Sequence, residues 1–154
     1  ILRQSRYAKK TKIIIVRPPM IYGSGAPGNY AKLVKLVNLG LPLPFGSFGR
    51  KRSVLHIHNL CDFFLKVLNT KIEKNFIFNL ADAYPLSVSE LMKRISIKSK
   101  NGVRIFNINP KIIMTLSYLI GKNKEIAKIN EGFHLNCDYV ERSIGWRPKD
   151  KLEG

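Results

Sequence analysis

Four groups of residues in this 154-residue chain have types and spacing that could do chemistry. Gly23-Ser24-Gly25-Ala26-Pro27-Gly28 has the GxGxxG spacing of a dinucleotide fingerprint. Such a fingerprint also wants an acid about 20 residues on, for a ribose hydroxyl. Here no acid precedes Asp62, and Pro27 sits inside the loop. A turn whose backbone N–H groups can approach an anion is the better reading. Tyr118 and Lys122 have the Tyr-x-x-x-Lys spacing in which a lysine lowers a tyrosine pKa for acid–base work. The pair lies on an apolar helix and straddles its Gly121 stop, so a tyrosine at the edge of a packed face is the far commoner explanation. His56-x-His58 would point both rings to one strand face, with Cys61 and Asp62 nearby. Asp62 reads as a cap residue and Cys61 sits beside an apolar stripe, so no metal site is expected. Arg50-Lys51-Arg52 stands before a strand, where an arginine can hold a phosphate bidentately. By spacing alone, a solvated loop fits that run equally well. There is no Ser/His/Asp triad and no P-loop.

The elements that must position these residues follow from pattern. Ile13–Val16 is a run of β-branched residues without polar alternation and reads as a strand buried on both faces. Pro18 and Pro19 lack backbone N–H groups and end it. The chain must then leave the sheet at a strand carboxyl end, which is where open α/β sheets bind ligands. Asn29 is placed to cap a helix from Tyr30 to Gly40. A loop from Leu41 leads to a strand over Ser53–His58. Asn59-x-x-Asp62 resembles a capping box, with Asp for the usual Glu, before a helix striped by Leu60, Phe63, Phe64, Val67 and Leu68. A strand at Asn75–Leu80 follows. Ser87-x-x-Glu90 is a full capping box. Further elements are a strand at Val103–Ile108, a helix from Pro110 to Gly121 and a short helix capped by Asp138-x-x-Glu141. Alternating strands and helices predict an α/β fold.

Charge is the unusual bulk property. The formal net charge is +17, and residues 1–61 hold eleven Lys/Arg with no Asp or Glu. The cations are mostly scattered singly and are not interleaved with aromatics, which argues against single-strand nucleic-acid binding. An anionic small ligand, on a lysine-rich background, is the preferred reading. No apolar run reaches spanning length, and no membrane partner is expected. Cys61 and Cys137 make no disulfide framework, so a cytoplasmic location is expected.

RPPMIYGSG resembles the R-P-x-x-[VI]-Y-G-P-G segment of extended short-chain dehydrogenase/reductases, in the nucleotide-sugar epimerase/dehydratase family. LPFGS…KRSVLHIHNL, YPLSVSEL and LNCDYVERSIGWRPKDKLEG resemble that family's later segments in the same order, with the flavour of UDP-hexose or UDP-N-acetylhexosamine 4-epimerases. The resemblance implies a Rossmann NAD-binding domain with a smaller substrate domain. Residues 1–28 would be the end of the first, and residues 29–154 mainly the second, with some elements returning to the Rossmann part. The family's glycine fingerprint and catalytic Tyr-x-x-x-Lys lie before the R-P segment. Tyr7 has Thr11, not Lys, four residues on, so the chain resembles the family's C-terminal half without its catalytic residues.

Carried over position by position, Pro18 and Pro19 would lie near the nicotinamide of NAD. Met20, Ile21 and Tyr22 would line the sugar end, Asn29 would face the nucleotide, Phe45 would contact uracil and Arg52 would bind the diphosphate. Ser24 stands where the family often has Pro, and His58-Asn59 where it usually has an acid. A second phosphate-binding arginine before Leu135 is not identifiable, with Lys128 only nearby. The implied function is that of an epimerase/dehydratase fragment from surface-polysaccharide sugar metabolism, inactive alone. A UDP-sugar is its expected ligand, a Rossmann-half polypeptide its possible partner and a homodimer its usual assembly. A non-catalytic nucleotide-sugar-binding module and a basic nucleic-acid-binding protein stay open as alternatives.

Overall fold

The computed structural model describes residues 11–99, 104–119, 121 and 131–149. Strand β1, Ile14–Arg17, pairs in parallel with β4, Phe76–Asn79, with Ile14 opposite Phe76 and Arg17 opposite Asn79. The two prolines end β1, yet the chain re-enters extended structure at once. Strand β2, Met20–Tyr22, belongs to a second parallel pair with β3, Val54–His56. The prolines therefore mark a step from one sheet to the other. Helix α1, Asn29–Asn38, lies in the connection from β2 to β3, and α2, Ile57–Leu68, in that from β3 to β4. Parallel pairing requires such crossovers. Helices α3 (Val88–Lys98), α4 (Pro110–Leu119) and α5 (Asp138–Ile144) follow.

Among the described residues, buried apolar side chains form three clusters, the largest of which joins β4 to Leu55 of β3. Beside β1 and β4, Phe63 of α2 meets Phe78 and Trp146 edge-on, at ring separations of 5.9 and 5.4 Å. Leu55, Leu80, Val140 and Ile144 complete that cluster. The Trp146 indole donates to Asp62 at 3.2 Å, and Lys149 reaches the same carboxylate at 2.8 Å. The Lys149 ammonium holds the Asp62 carboxyl below the usual carboxylate range. Beside β2 and β3, Tyr22, Val54, Leu86 and Leu91 form one cluster, while Val37, Leu43, Val88, Met92 and Ile95 join α1 to α3.

Ser87 caps α3 as its spacing predicts. Its hydroxyl accepts from the Glu90 N–H at 3.1 Å, and the Ser87 N–H donates back to Glu90 at 2.6 Å. Several other local expectations are corrected. Residues Ile14–Val16 are half-buried, not fully buried, because among the described residues β1 has a strand neighbour on one side only. Asn29 is the first residue of α1 and makes no side-chain cap; Gly28, at φ 76°, stands before it. The Asn59/Asp62 box does not form, because β3 runs into α2 without a loop. The His56 imidazole caps α2 by accepting from the His58 N–H at 3.2 Å. Asp138 is likewise inside α5, with Cys137 before it. Phe64 and Leu68 face outward from α2, so its buried stripe is narrower than expected. Of the expected strand 103–108, the described part makes one bridge, Ile105 to Leu43. Among the described residues, no helix is long and apolar enough to cross a membrane.

Candidate functional site

A cleft of about 360 Å³ opens where β1 gives way to β2, and Pro19, Met20, Ile21, Pro27, Asn29 and Arg52 line it. It lies just beyond the carboxyl end of β1, the place that parallel sheets offer to ligands. Three separate segments meet there. The first is the extended backbone after the prolines. The second is the glycine turn that ends on α1. The third is the strand entrance that carries Arg52.

Each wall is fixed by local chemistry. The glycine turn is forced close to β3. Gly23 has φ 118°, and a Cβ built on it would lie 2.8 Å from Ile57 Cγ2 and 2.9 Å from His56 Nε2. Only glycine fits that backbone and that approach. The turn delivers Asn29 to the first position of α1, whose N-terminus has no side-chain cap and no acid in its first turn. The unpaired N–H groups of a helix start carry partial positive charge and favour an anion. Arg52 is held by its backbone on two sides. It exchanges hydrogen bonds with Leu86, both at 3.0 Å, and bridges Phe133 as well. The next residue, Ser53, takes the Leu135 N–H on its hydroxyl at 2.9 Å. Arg50 and Lys51, beside it in sequence, are exposed. A half-buried arginine that lines the same cleft as a helix N-terminus suits a phosphate or diphosphate.

Five of the eight residues singled out from sequence, Pro19, Met20, Ile21, Asn29 and Arg52, are thus brought together in one cleft. The other three lie elsewhere. Pro18 is exposed and is not among the lining residues. Phe45 packs on Phe48 at 5.3 Å and against the α1–α3 core. Tyr22 is 6% exposed, edge-on to His56 at 4.9 Å and to Tyr30 at 6.2 Å. Burial, reinforced by the Asp82 carboxylate, pushes the Tyr22 hydroxyl well above the ordinary tyrosine range. At neutral pH it is a phenol and not a base.

Asp82 escaped the sequence reading, and it ties the start of α2 to the loop after β4. The Asp82 carboxylate accepts from the His56 N–H at 3.1 Å and from the Asn59 amide at 2.8 Å. The buried Asn59 side chain also accepts from the Lys149 N–H at 3.0 Å. Asn59, one of the two positions where the resemblance expects an acid, thus meets a carboxylate from the loop after β4. The other apparent motifs dissolve. Tyr118 is 72% exposed, and Lys122, like Tyr7 and Lys128, lies outside the described residues. His58 is on α2, so it shares no strand face with His56. Among the described residues, no three of His, Cys, Asp and Glu converge.

No protein-family model matches the chain. Over 143 residues, 92% of its length, it is 27% identical to a UDP-glucose 4-epimerase of Vibrio cholerae. In backbone it is similar to the UDP-glucose 4-epimerase of Thermotoga maritima solved with UDP-glucose, at a TM-score of 0.58, 16% identity and 96% coverage of this chain. It is similar also to the UDP-N-acetylglucosamine 4-epimerase of Bacillus cereus, at 0.59, 13% and 94%. The chain resembles the C-terminal half of an extended short-chain dehydrogenase/reductase of the nucleotide-sugar epimerase type. It spans 44% of the Vibrio relative, and 45% and 44% of the two structures. The fold of this epimerase-like chain is accordingly α/β of the Rossmann-like kind.

Proposed function

We propose that the chain supplies the sugar-nucleotide pocket of an NAD-dependent UDP-sugar epimerase or dehydratase and is inactive without a glycine-fingerprint half. The observation that carries this reading is the cleft itself. It joins an apolar wall, an uncapped helix N-terminus and an arginine pinned by its backbone, on a chain half that has no acid before Asp62. An apolar wall suits a sugar ring or nicotinamide face, and the helix end with Arg52 suits a diphosphate.

Within this reading, Arg52 and the start of α1 hold the diphosphate, with Asn29 turned to the nucleotide. Met20 and Ile21 bound the sugar and Tyr22 supports them from below; the resemblance assigns Phe45 to the uracil, although its ring packs on Phe48 outside the cleft lining. NAD, when bound, accepts and returns the hydride. The described residues fit one edge of it: Pro19, in the cleft lining, would offer the nicotinamide a surface without an N–H group, with Pro18 next to it in sequence but outside the lining. The fingerprint that would hold its pyrophosphate is not in this sequence, nor is a Tyr-x-x-x-Lys in the family's place. The domain division at residue 28, a partner or upstream segment carrying the Rossmann half, homodimer formation, cytoplasmic location and a role in surface-polysaccharide sugar supply belong to the same proposal.

The test is an epimerisation assay with UDP-glucose and NAD. The chain alone should give no turnover. Mixing in a separately produced polypeptide with the fingerprint and the Tyr-x-x-x-Lys helix should restore it. Turnover by the chain alone that disappears in Tyr118→Phe would overturn the proposal.

A further inference from the structure

Arg52 is the middle member of a row. Its backbone pairs with Leu86 on one side, antiparallel, and with Phe133 on the other, parallel. Residues paired across a β-bridge project to the same side, with their backbones about 4.8 Å apart. Leu86, Arg52 and Phe133 therefore present three side chains to one face. The two ends of the row differ. Leu86 is buried in the cluster of Tyr22, Val54 and Leu91, against which Met20 packs. Phe133 is 42% exposed and belongs to none of the three clusters. Its backbone is nonetheless fixed. The Phe133 carbonyl accepts from the Ser53 N–H at 2.6 Å, and two residues on, the Leu135 N–H reaches the Ser53 hydroxyl at 2.9 Å. An aromatic side chain on a backbone pinned in this way is a preorganised apolar surface beside a cation.

We propose that the Phe133 ring is the platform on which the base of a nucleoside diphosphate stacks when Arg52 holds its diphosphate. This rests on the reading of the cleft as a sugar-nucleotide pocket, and the order of the row carries it. Met20, which bounds the sugar in that reading, lies on the Leu86 side of Arg52. A ligand with its sugar there and its diphosphate on Arg52 continues past the arginine on the other side, where Phe133 is the next side chain. A base offers a flat π face, and stacking on an aromatic ring tolerates any base. Phe45 is less suited, since its ring already packs on Phe48. No spacing in the sequence marks Phe133, because its pairing with Arg52 joins segments far apart in the chain.

The test is calorimetric titration of UDP, and of inorganic pyrophosphate as a probe without a base, into the chain and into Phe133→Ala, Phe133→Trp and Arg52→Ala. Phe133→Ala should bind UDP about tenfold to a hundredfold more weakly and pyrophosphate as the parent does. Phe133→Trp should keep the UDP affinity. UDP, but not pyrophosphate, should quench the fluorescence of the added indole, since the chain's own Trp146 is buried in the β4 cluster. Arg52→Ala should weaken both probes. Parent-like UDP binding by Phe133→Ala, with Arg52→Ala still weakened, would overturn the base platform and leave the diphosphate site standing. Equal loss of UDP and pyrophosphate in Phe133→Ala would overturn it too, because the ring would then serve Arg52 and not a base. If neither probe binds the parent, or if Arg52→Ala binds both like the parent, the sugar-nucleotide reading of the cleft falls with it.

Discussion

At the scale of single residues, His56 combines deep burial with a ring nitrogen that has no hydrogen-bond partner among the described residues. It is 1% exposed and its Nδ1 accepts the His58 N–H. Its Nε2 is therefore the protonated nitrogen, and it has no hydrogen-bond partner among the described residues. Burial lowers its pKa below the ordinary value, helped by His58, Lys98 and Arg94 against the opposing pull of Asp82. The sign follows from linkage. Below the unfolded histidine pKa the unfolded chain takes a proton that the folded chain refuses. Stability is therefore highest at neutral pH and above, and falls as pH drops toward the folded pKa. Protonation at Nδ1 would also remove the cap of α2. Urea melts taken from about pH 7.5 down to about pH 5.5 should show this loss, and His56→Gln should flatten the slope even if it lowers the plateau. Equal slopes in the two proteins would place the titration elsewhere. Nothing in the sequence marked His56 as a cap, since histidine is not a usual N-cap type and no loop residue separates strand from helix.

At the scale of elements, the capping box of α3 was legible because both partners sit three apart and both bonds are local. Ser87→Ala removes the acceptor for the Glu90 N–H and should cost about 1 kcal/mol, read as a lower urea midpoint at unchanged slope. A shifted slope or no shift would mean that the box does not hold this helix. The Asn59/Asp62 pattern looked nearly as good and failed for a tertiary reason. Asn59 is drawn inward by Asp82 and by the Lys149 backbone, and Asp62 by Trp146 and Lys149. Those partners are far away in sequence, so local spacing could not announce them. The same limit hid β2. After two prolines a continued strand looked forbidden, yet β2 belongs to a different sheet, where Val54–His56 pairs with it in register. The seven-residue α5 shows the limit again, as its start is set by Asn136 accepting the Asp138 N–H at 2.9 Å and not by an Asp cap.

At the scale of the whole molecule, the alternation of strands and helices was readable from apolar periodicity, and the site region from the proline pair and the glycine turn. What sequence spacing left open was which cation serves the cleft. Arg50, Lys51 and Arg52 are equivalent in a string, but the fold exposes the first two and turns only the third into the lining. The most direct test is calorimetric titration of UDP into the chain and into Arg50→Ala, Lys51→Ala and Arg52→Ala, at one salt concentration. A charge-assisted bond to phosphate is worth about 1.5–3 kcal/mol, so Arg52→Ala should bind about tenfold to a hundredfold more weakly. The exposed Arg50 and Lys51 should change affinity little. If Arg52→Ala binds UDP like the parent, or if Arg50→Ala is the weaker of the two, the cleft is not the diphosphate site.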